Sequence, residues 1–148
     1  MLVGLKEILA LAQAGGYAIP AFNVYNMETV IGCITAAEDL HAPVILQTYS
    51  RLFKEGSGYY LAPSVLAAAK KAKVPVCFHL DHGASELETT RALRYGCTGV
   101  MIDASAMDFD RNVELTRKVV EAANYVEVTV EGELGHVGTV NDGCMDEF

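Results

Sequence analysis

Basic residues are scarce in this chain: 11 Lys and Arg stand against 19 Asp and Glu, a formal net charge of −8. A surface of that sign repels a phosphate backbone, so nucleic acid is not an expected partner. A small phosphorylated ligand stays open, because a local cradle of backbone N–H groups is enough to hold one. Long apolar runs are missing too. None reaches the roughly 18 residues of a membrane span, and Lys6 and Glu7 interrupt the apolar N-terminus that a signal peptide would need. No membrane partner is expected, and the default is a soluble cytoplasmic protein. Cysteine is limited to Cys33, Cys77, Cys97 and Cys144, with no C-x-x-C pair. That leaves a zinc ribbon or a thioredoxin-like redox motif unsupported. Cys33 and Cys77 lie in apolar stretches and read as small core residues, with no disulfides expected in the cytoplasm. Linkers and low-complexity segments are absent. With 148 residues, 51% hydrophobic and 20% charged, the chain is one folded domain's worth of protein.

Five short β-branched or apolar segments stand out: Ala18–Phe22, Val44–Gln47, Val76–Leu80, Gly99–Ile102 and Val126–Val130. Continuous runs of this kind are strands covered on both faces, as in a parallel sheet. Helical patterns fill the gaps. Met1 to Ala14 is amphipathic and ends at Gly15-Gly16. Val30, Ile34 and Ala37 share a face. An Ala-rich stretch from Leu61 ends in Lys70, Lys71 and Lys73, a solvated basic end that suits a helix C-terminus before Val74-Pro75 stops it. Ser85 and Glu88 have capping-box spacing ahead of Leu87–Tyr95. Leu115, Val119 and Ala122 form a stripe, with Glu114 and Lys118 paired on its wet side. Strand–helix repeats at this spacing permit an open doubly wound sheet or a (β/α)8 barrel. A barrel needs about 250 residues, so the barrel reading makes this sequence part of a longer one.

Both folds carry chemistry at the C-terminal ends of their strands, and here each such end is polar. The first offers Asn23, the second Gln47-Thr48-Tyr49-Ser50, the third His79-Leu80-Asp81-His82-Gly83, the fourth Asp103-Ala104-Ser105, the fifth Glu131-Gly132-Glu133. Period two puts His79 and Asp81 on one face, with His82 opening the loop. Imidazole suits Zn²⁺ and a neighbouring carboxyl can carry a proton, although the same residues also make an ordinary hydrogen-bonded strand end. Glu131 and Glu133 alone read as a rim, Asp103 alone as a cap, and His41 and His136 as loop residues. Acids and imidazoles converging from three successive strand ends favour a metal or acid/base site.

These residues are familiar in combination. The chain resembles the class II, metal-dependent ketose-bisphosphate aldolases, a family that includes fructose- and tagatose-bisphosphate aldolases. The markers are Gly16-Tyr17-Ala18-Ile19-Pro20-Ala21-Phe22-Asn23, Asn26-Met27-Glu28-Thr29, His41-Ala42-Pro43-Val44-Ile45, His79 to Gly83, Val100 to Ser105 and Val130 to Gly135, six motifs in order. The resemblance implies a (β/α)8 barrel, of which residues 1–148 supply the N-terminal part and about the first five strands. It implies reversible retro-aldol cleavage of a phosphorylated ketose to dihydroxyacetone phosphate and an aldehyde. His82 stands at the family's first Zn²⁺ ligand and Asp81 at its acid/base on the aldehyde side. Asp103 and Glu133 match carboxylates around the metal, and Asn23 matches a substrate-facing amide. Ser50, with Tyr49 as the alternative, stands near a hydroxyl that meets a substrate phosphate. The implied cofactor is one catalytic Zn²⁺ acting as a Lewis acid, with a second divalent or monovalent cation allowed by the family. No Schiff-base lysine is required, and none of the strand ends offers one.

The chain departs from the family at three points. The other two zinc histidines and the Gly-rich phosphate loops belong to later strands. Asn141 occupies the position of a loop carboxylate that removes a carbon-bound proton, and an amide cannot act as a base; Asp142 is adjacent. The second strand ends in Tyr49-Ser50 rather than a lone small hydroxyl. The isolated 148 residues are therefore expected to be inactive, and to self-associate or pair with the remaining C-terminal portion. The alternatives are a different metal-dependent lyase or isomerase on the same barrel, and a non-catalytic metal-binding barrel subunit.

Overall fold

The computed structural model describes residues 1–135; His136, Asn141, Asp142 and Cys144 lie outside the described residues. The chain runs α1 (Leu5–Gly15), β1 (Ala21–Asn23), α2 (Met27–Asp39), β2 (Val44–Tyr49), α3 (Ser50–Glu55), α4 (Gly58–Lys71), β3 (Val76–Gly83), α5 (Glu86–Arg94), β4 (Gly99–Ile102), α6 (Phe109–Asn124) and β5 (Thr129–Gly132). The strands form one sheet in the order β1-β2-β3-β4-β5, every neighbouring pair parallel. A barrel, the fold that the resemblance implies, lays its strands side by side in this chain order.

The apolar runs form strands because both of their faces are covered. On the outer face Leu46, Phe78, Leu80, Val100 and Ile102 pack against Val30, Val65, Ala92 and Val119 from the helices. On the inner face α1 lies across the early part of the strands, and its Leu5 and Ile8 cluster with Ile45 and Cys77. That floor leaves the C-terminal ends of the strands free for polar side chains. Gly99 makes the floor fit. A Cβ there would stand 2.7 Å from the Leu5 Cβ and 2.8 Å from the His79 Cδ2. Gly99→Ala is expected to destabilise the fold by about 1–3 kcal/mol, the usual cost of overpacking, read as a lower denaturant midpoint at unchanged m-value.

Several boundaries differ from those the sequence suggests, each for a local reason. β1 and β5 begin three residues after their apolar runs begin. Pro20, which has no N–H to give, contributes only its carbonyl to Ile45. Before β5 the chain turns through Glu127, at φ 58°, and the Val128 N–H returns to the Ala123 carbonyl. α3 is a short helix that no apolar period announces. α5 is capped by Ser85, but Glu88 accepts from the Ala84 N–H at 2.6 Å, one residue earlier than a capping box has it. On α6 the buried residues are Asn112, Val119 and Ala123, while Ala122 is exposed. The Lys118–Glu114 pair forms at 2.9 Å. Cys33, Cys77 and Cys97 are free, and burial pushes the Cys77 thiol up to about 11 and Cys97 well up, which suits inert core thiols.

Candidate active site and metal centre

The end of β3 is irregular, and the irregularity builds the site. Leu80 pairs with Val100, and the next pairing is Gly83 with Ile102. Three residues of β3 thus advance against two of β4, which is a β-bulge. His82 takes up the extra residue in left-handed backbone at φ 49°. Such a conformation costs a non-glycine residue about 1–3 kcal/mol and is commonly kept where function needs it. Without the bulge, alternation would send His82 outward beside Leu80. With it, Asp81 and His82 both face the mouth, and Gly83 resumes the outward position. Gly83 has no room for a side chain: a Cβ would lie 2.5 Å from the Met101 carbonyl oxygen.

His82 meets carboxylates from the next two strand ends. Its Nδ1 lies 2.8 Å from Asp103 Oδ2 and 3.7 Å from Glu133 Oε2. One donor atom from each of the three residues falls within 4.8 Å of the others. Asp103 is held on its far side, where Ser105 gives both its backbone N–H (3.0 Å) and its hydroxyl (2.7 Å) to Oδ1. Glu133 is held through its backbone: the buried Asn112 of α6 donates to its carbonyl at 2.8 Å and accepts from Thr116 at 3.2 Å. The hydrogen bond with Asp103 raises the His82 pKa against the opposing effect of burial, and the charges of Asp81, Asp103 and Glu133 add to the rise. Burial alone would raise Asp103, but the hydrogen bonds from Ser105 and His82 outweigh it and leave its carboxyl below the usual range.

Asp81 belongs to a second group on the same face. Its Oδ2 accepts from Asn23 Nδ2 at 2.8 Å, and Asn23 Oδ1 accepts from Gln47 Nε2 at 2.7 Å. Its Oδ1 makes no hydrogen bond among the described residues and lies 4.0 Å from His82 Nε2. His79, which alternation puts on the face of Asp81, sits deeper. It is 3% exposed and approaches Glu131 to 3.2 Å. The contact is poorly aligned, and neither ring nitrogen makes a hydrogen bond among the described residues, yet the imidazole holds the Glu131 carboxyl below its usual range against the opposing effect of burial.

Six residues were singled out in sequence for roles. The structure brings five of them, Asn23, Asp81, His82, Asp103 and Glu133, to one mouth. Ser50 stands apart as the first residue of α3 and is 8% exposed. Tyr49, the inward-facing neighbour of Asp81 in register, has its ring 6.4 Å from that of His82. Ser105 and Asn112 were not assigned roles from sequence. Asn112 could have been suspected as a polar residue seven positions before Val119 in the buried stripe of α6.

The donor set fits a metal. Atoms bound tetrahedrally at about 2.0–2.2 Å from an ion lie about 3.4 Å apart, between the 2.8 and 3.7 Å seen around His82 Nδ1. One imidazole and two carboxylates are ligand types that zinc accepts.

Fold and site together define the class: a parallel α/β protein of the TIM-barrel type, with its polar cluster at the C-terminal mouth of the strands. The chain belongs to the class II fructose-bisphosphate aldolase family, whose profile, "Fructose-bisphosphate aldolase class-II", matches residues 3–147. It is 48% identical over 142 residues to the fructose-bisphosphate aldolase of Thermus caldophilus, covering 96% of this chain and 46% of that protein. Among solved structures it resembles the YdjI aldolase from Escherichia coli K12, at 36% identity and a TM-score of 0.86, covering 91% of this chain and 51% of that one. A putative fructose-1,6-biphosphate aldolase from Coccidioides immitis matches at 30% identity and a TM-score of 0.85, covering 94% of this chain and 49% of that one. The chain spans about half the length of the curated relatives it matches.

Proposed function

We propose that this chain is the N-terminal part of a single (β/α)8-barrel domain whose whole carries out metal-dependent retro-aldol cleavage of a phosphorylated ketose, of the fructose- or tagatose-bisphosphate type. The observation that carries the reading is the gathering of His82, Asp103 and Glu133 beside a carboxylate with one unengaged oxygen. His82, Asp103 and Glu133 would hold Zn²⁺. When bound, the ion supplies Lewis acidity toward a carbonyl oxygen. Asp81 Oδ1 takes the proton of the aldehyde-side hydroxyl as the carbon–carbon bond breaks, and returns it in the condensation direction. Asn23 keeps the other Asp81 oxygen occupied and presents its amide to the substrate. Ser50 or Tyr49 meets a substrate phosphate. Free cysteines fit a cytoplasmic protein.

Association is also part of the proposal. Between α6 and the end of β5 an apolar groove of about 540 Å³, lined by Phe109, Val113, Val120 and Leu134, lies where the next strand–helix unit of a barrel packs. The 148 residues alone are therefore inactive, and either self-associate or require the rest of the barrel. Two lines of support for the activity are the family membership and the acid-rich mouth.

The test uses the full-length protein. Stripped with a chelator it should fail to release dihydroxyacetone phosphate from fructose or tagatose 1,6-bisphosphate, and one equivalent of Zn²⁺ should restore release. Equal cleavage with and without metal would overturn the metal-dependent reading.

A further inference from the structure

We propose that Gln47 is a positioning residue for Asp81, acting through Asn23. The proposal rests on the acid/base reading of Asp81 given above. Gln47 faces inward from β2, in register with Asn23 on β1 and with His79 on β3. It marks the border between the polar mouth and the apolar floor, where Leu5, Leu9, Ala21 and Ile45 line the same cavity. From there a hydrogen-bonded row runs Gln47 Nε2 to Asn23 Oδ1 (2.7 Å), then Asn23 Nδ2 to Asp81 Oδ2 (2.8 Å).

The row has a direction, and chemistry sets it. An ionised carboxylate only accepts, so Asn23 must turn its NH₂ toward Asp81 and its carbonyl oxygen away. That oxygen then needs a donor, and Gln47 Nε2 is the one that reaches it. An amide can flip end for end with almost no change of shape. Remove the Gln47 donor and the Asp81 carboxylate alone holds the Asn23 amide, whose Oδ1 is left without a partner among the described residues. An Asn23 anchored on one side only can tilt, and Asp81, tied to it through Oδ2, would drift from the geometry in which Oδ1 lies unengaged beside His82. Gln47 makes no hydrogen bond or ion pair with His82, Asp103 or Glu133 among the described residues, so its loss leaves the proposed metal donors intact.

The experiment uses the zinc-loaded full-length protein with two substitutions. Gln47→Met keeps the volume and removes the donor. Gln47→Glu keeps the shape and, as a carboxylate, can only accept, so it competes with Asp81 for the Asn23 NH₂ and sets an acceptor against Asn23 Oδ1. Both should keep wild-type zinc content and lose about 10- to 100-fold in kcat, the scale of a slightly misplaced catalytic group. The deciding measurement repeats both changes in an Asp81→Asn background. A residue that acts only through Asp81 has little left to lose there, so the Gln47 effect should shrink to within a factor of about two. The same fold-loss in both backgrounds would show that Gln47 does not act through Asp81 and overturn the proposal. So would wild-type kcat in Gln47→Glu. If Asp81→Asn itself retains wild-type kcat, the acid/base reading of Asp81 fails, and the positioning role falls with it. That outcome is distinct from a Gln47 effect that persists beside a crippled Asp81→Asn enzyme.

Discussion

Replacing His82 by alanine in the full-length protein is expected to strip it of zinc and of aldol cleavage together. His82 is the one imidazole of the donor group formed with Asp103 and Glu133. What these strands retain without it is two carboxylates, an oxygen set that suits magnesium or calcium better than zinc. Zinc content after dialysis should fall from near one per chain to near zero. Losing the several kcal/mol that a Lewis acid contributes should cut kcat by about 10³-fold or more. Alanine also sits poorly in the left-handed backbone at φ 49°, so misfolding must be separated from metal loss. His82→Asn supplies the control, since asparagine tolerates that conformation and does not replace the imidazole nitrogen. Metal analysis showing either variant fully loaded and active would remove His82 from the ligand set.

Asp81→Ala is expected to give the opposite pairing of results, a slow enzyme that keeps its metal. The carboxylate lies 4.0 Å from the His82 ring and makes its hydrogen bond to Asn23, not to Asp103 or Glu133. Its removal should leave zinc content unchanged and lower kcat by about 10²–10⁴-fold, the range for loss of a general acid/base. The isosteric Asp81→Asn should fall in the same range, because an amide keeps the shape and cannot take the proton. Should zinc be lost in step with activity, Asp81 would be a ligand rather than a proton carrier.

The sheet could be read from the chain because its signal is local. Val76, Cys77 and Phe78 are buried on alternate faces of one strand, which leaves an uninterrupted apolar run. β4 spans the residues that its run marks, Gly99–Ile102. α3 was not legible, since Ser50 to Glu55 has no apolar period and its end is tied by Arg91, whose guanidinium donates to the Phe53 and Lys54 carbonyls from 37 or more residues away. The site was legible as a set of strand ends but not as a geometry. The sequence puts His79 and Asp81 on one face. The fold separates them by depth, with His79 against Glu131 and Asp81 in a row with Asn23 and Gln47. Ser105 acts on Asp103 through a local turn two residues on, which the Asp-x-Ser spacing allows, whereas Asn112 acts on the Glu133 backbone through a hydrogen bond set by tertiary packing that no spacing announces.

The bulge in β3 makes this segment sensitive to length as well as to composition. Residues 80–83 of β3 span the distance that 100–102 span on β4. Deleting either Asp81 or His82 would restore an even pleat without disturbing the apolar strand below it, so the sheet could still assemble. The one acid or imidazole left at that strand end would then lack its neighbour, and the proposed proton carrier and the proposed metal donor could no longer sit side by side. Deletion of either codon in the full-length protein is expected to give a folded product that has lost the proposed cleavage, read by circular dichroism beside an activity assay.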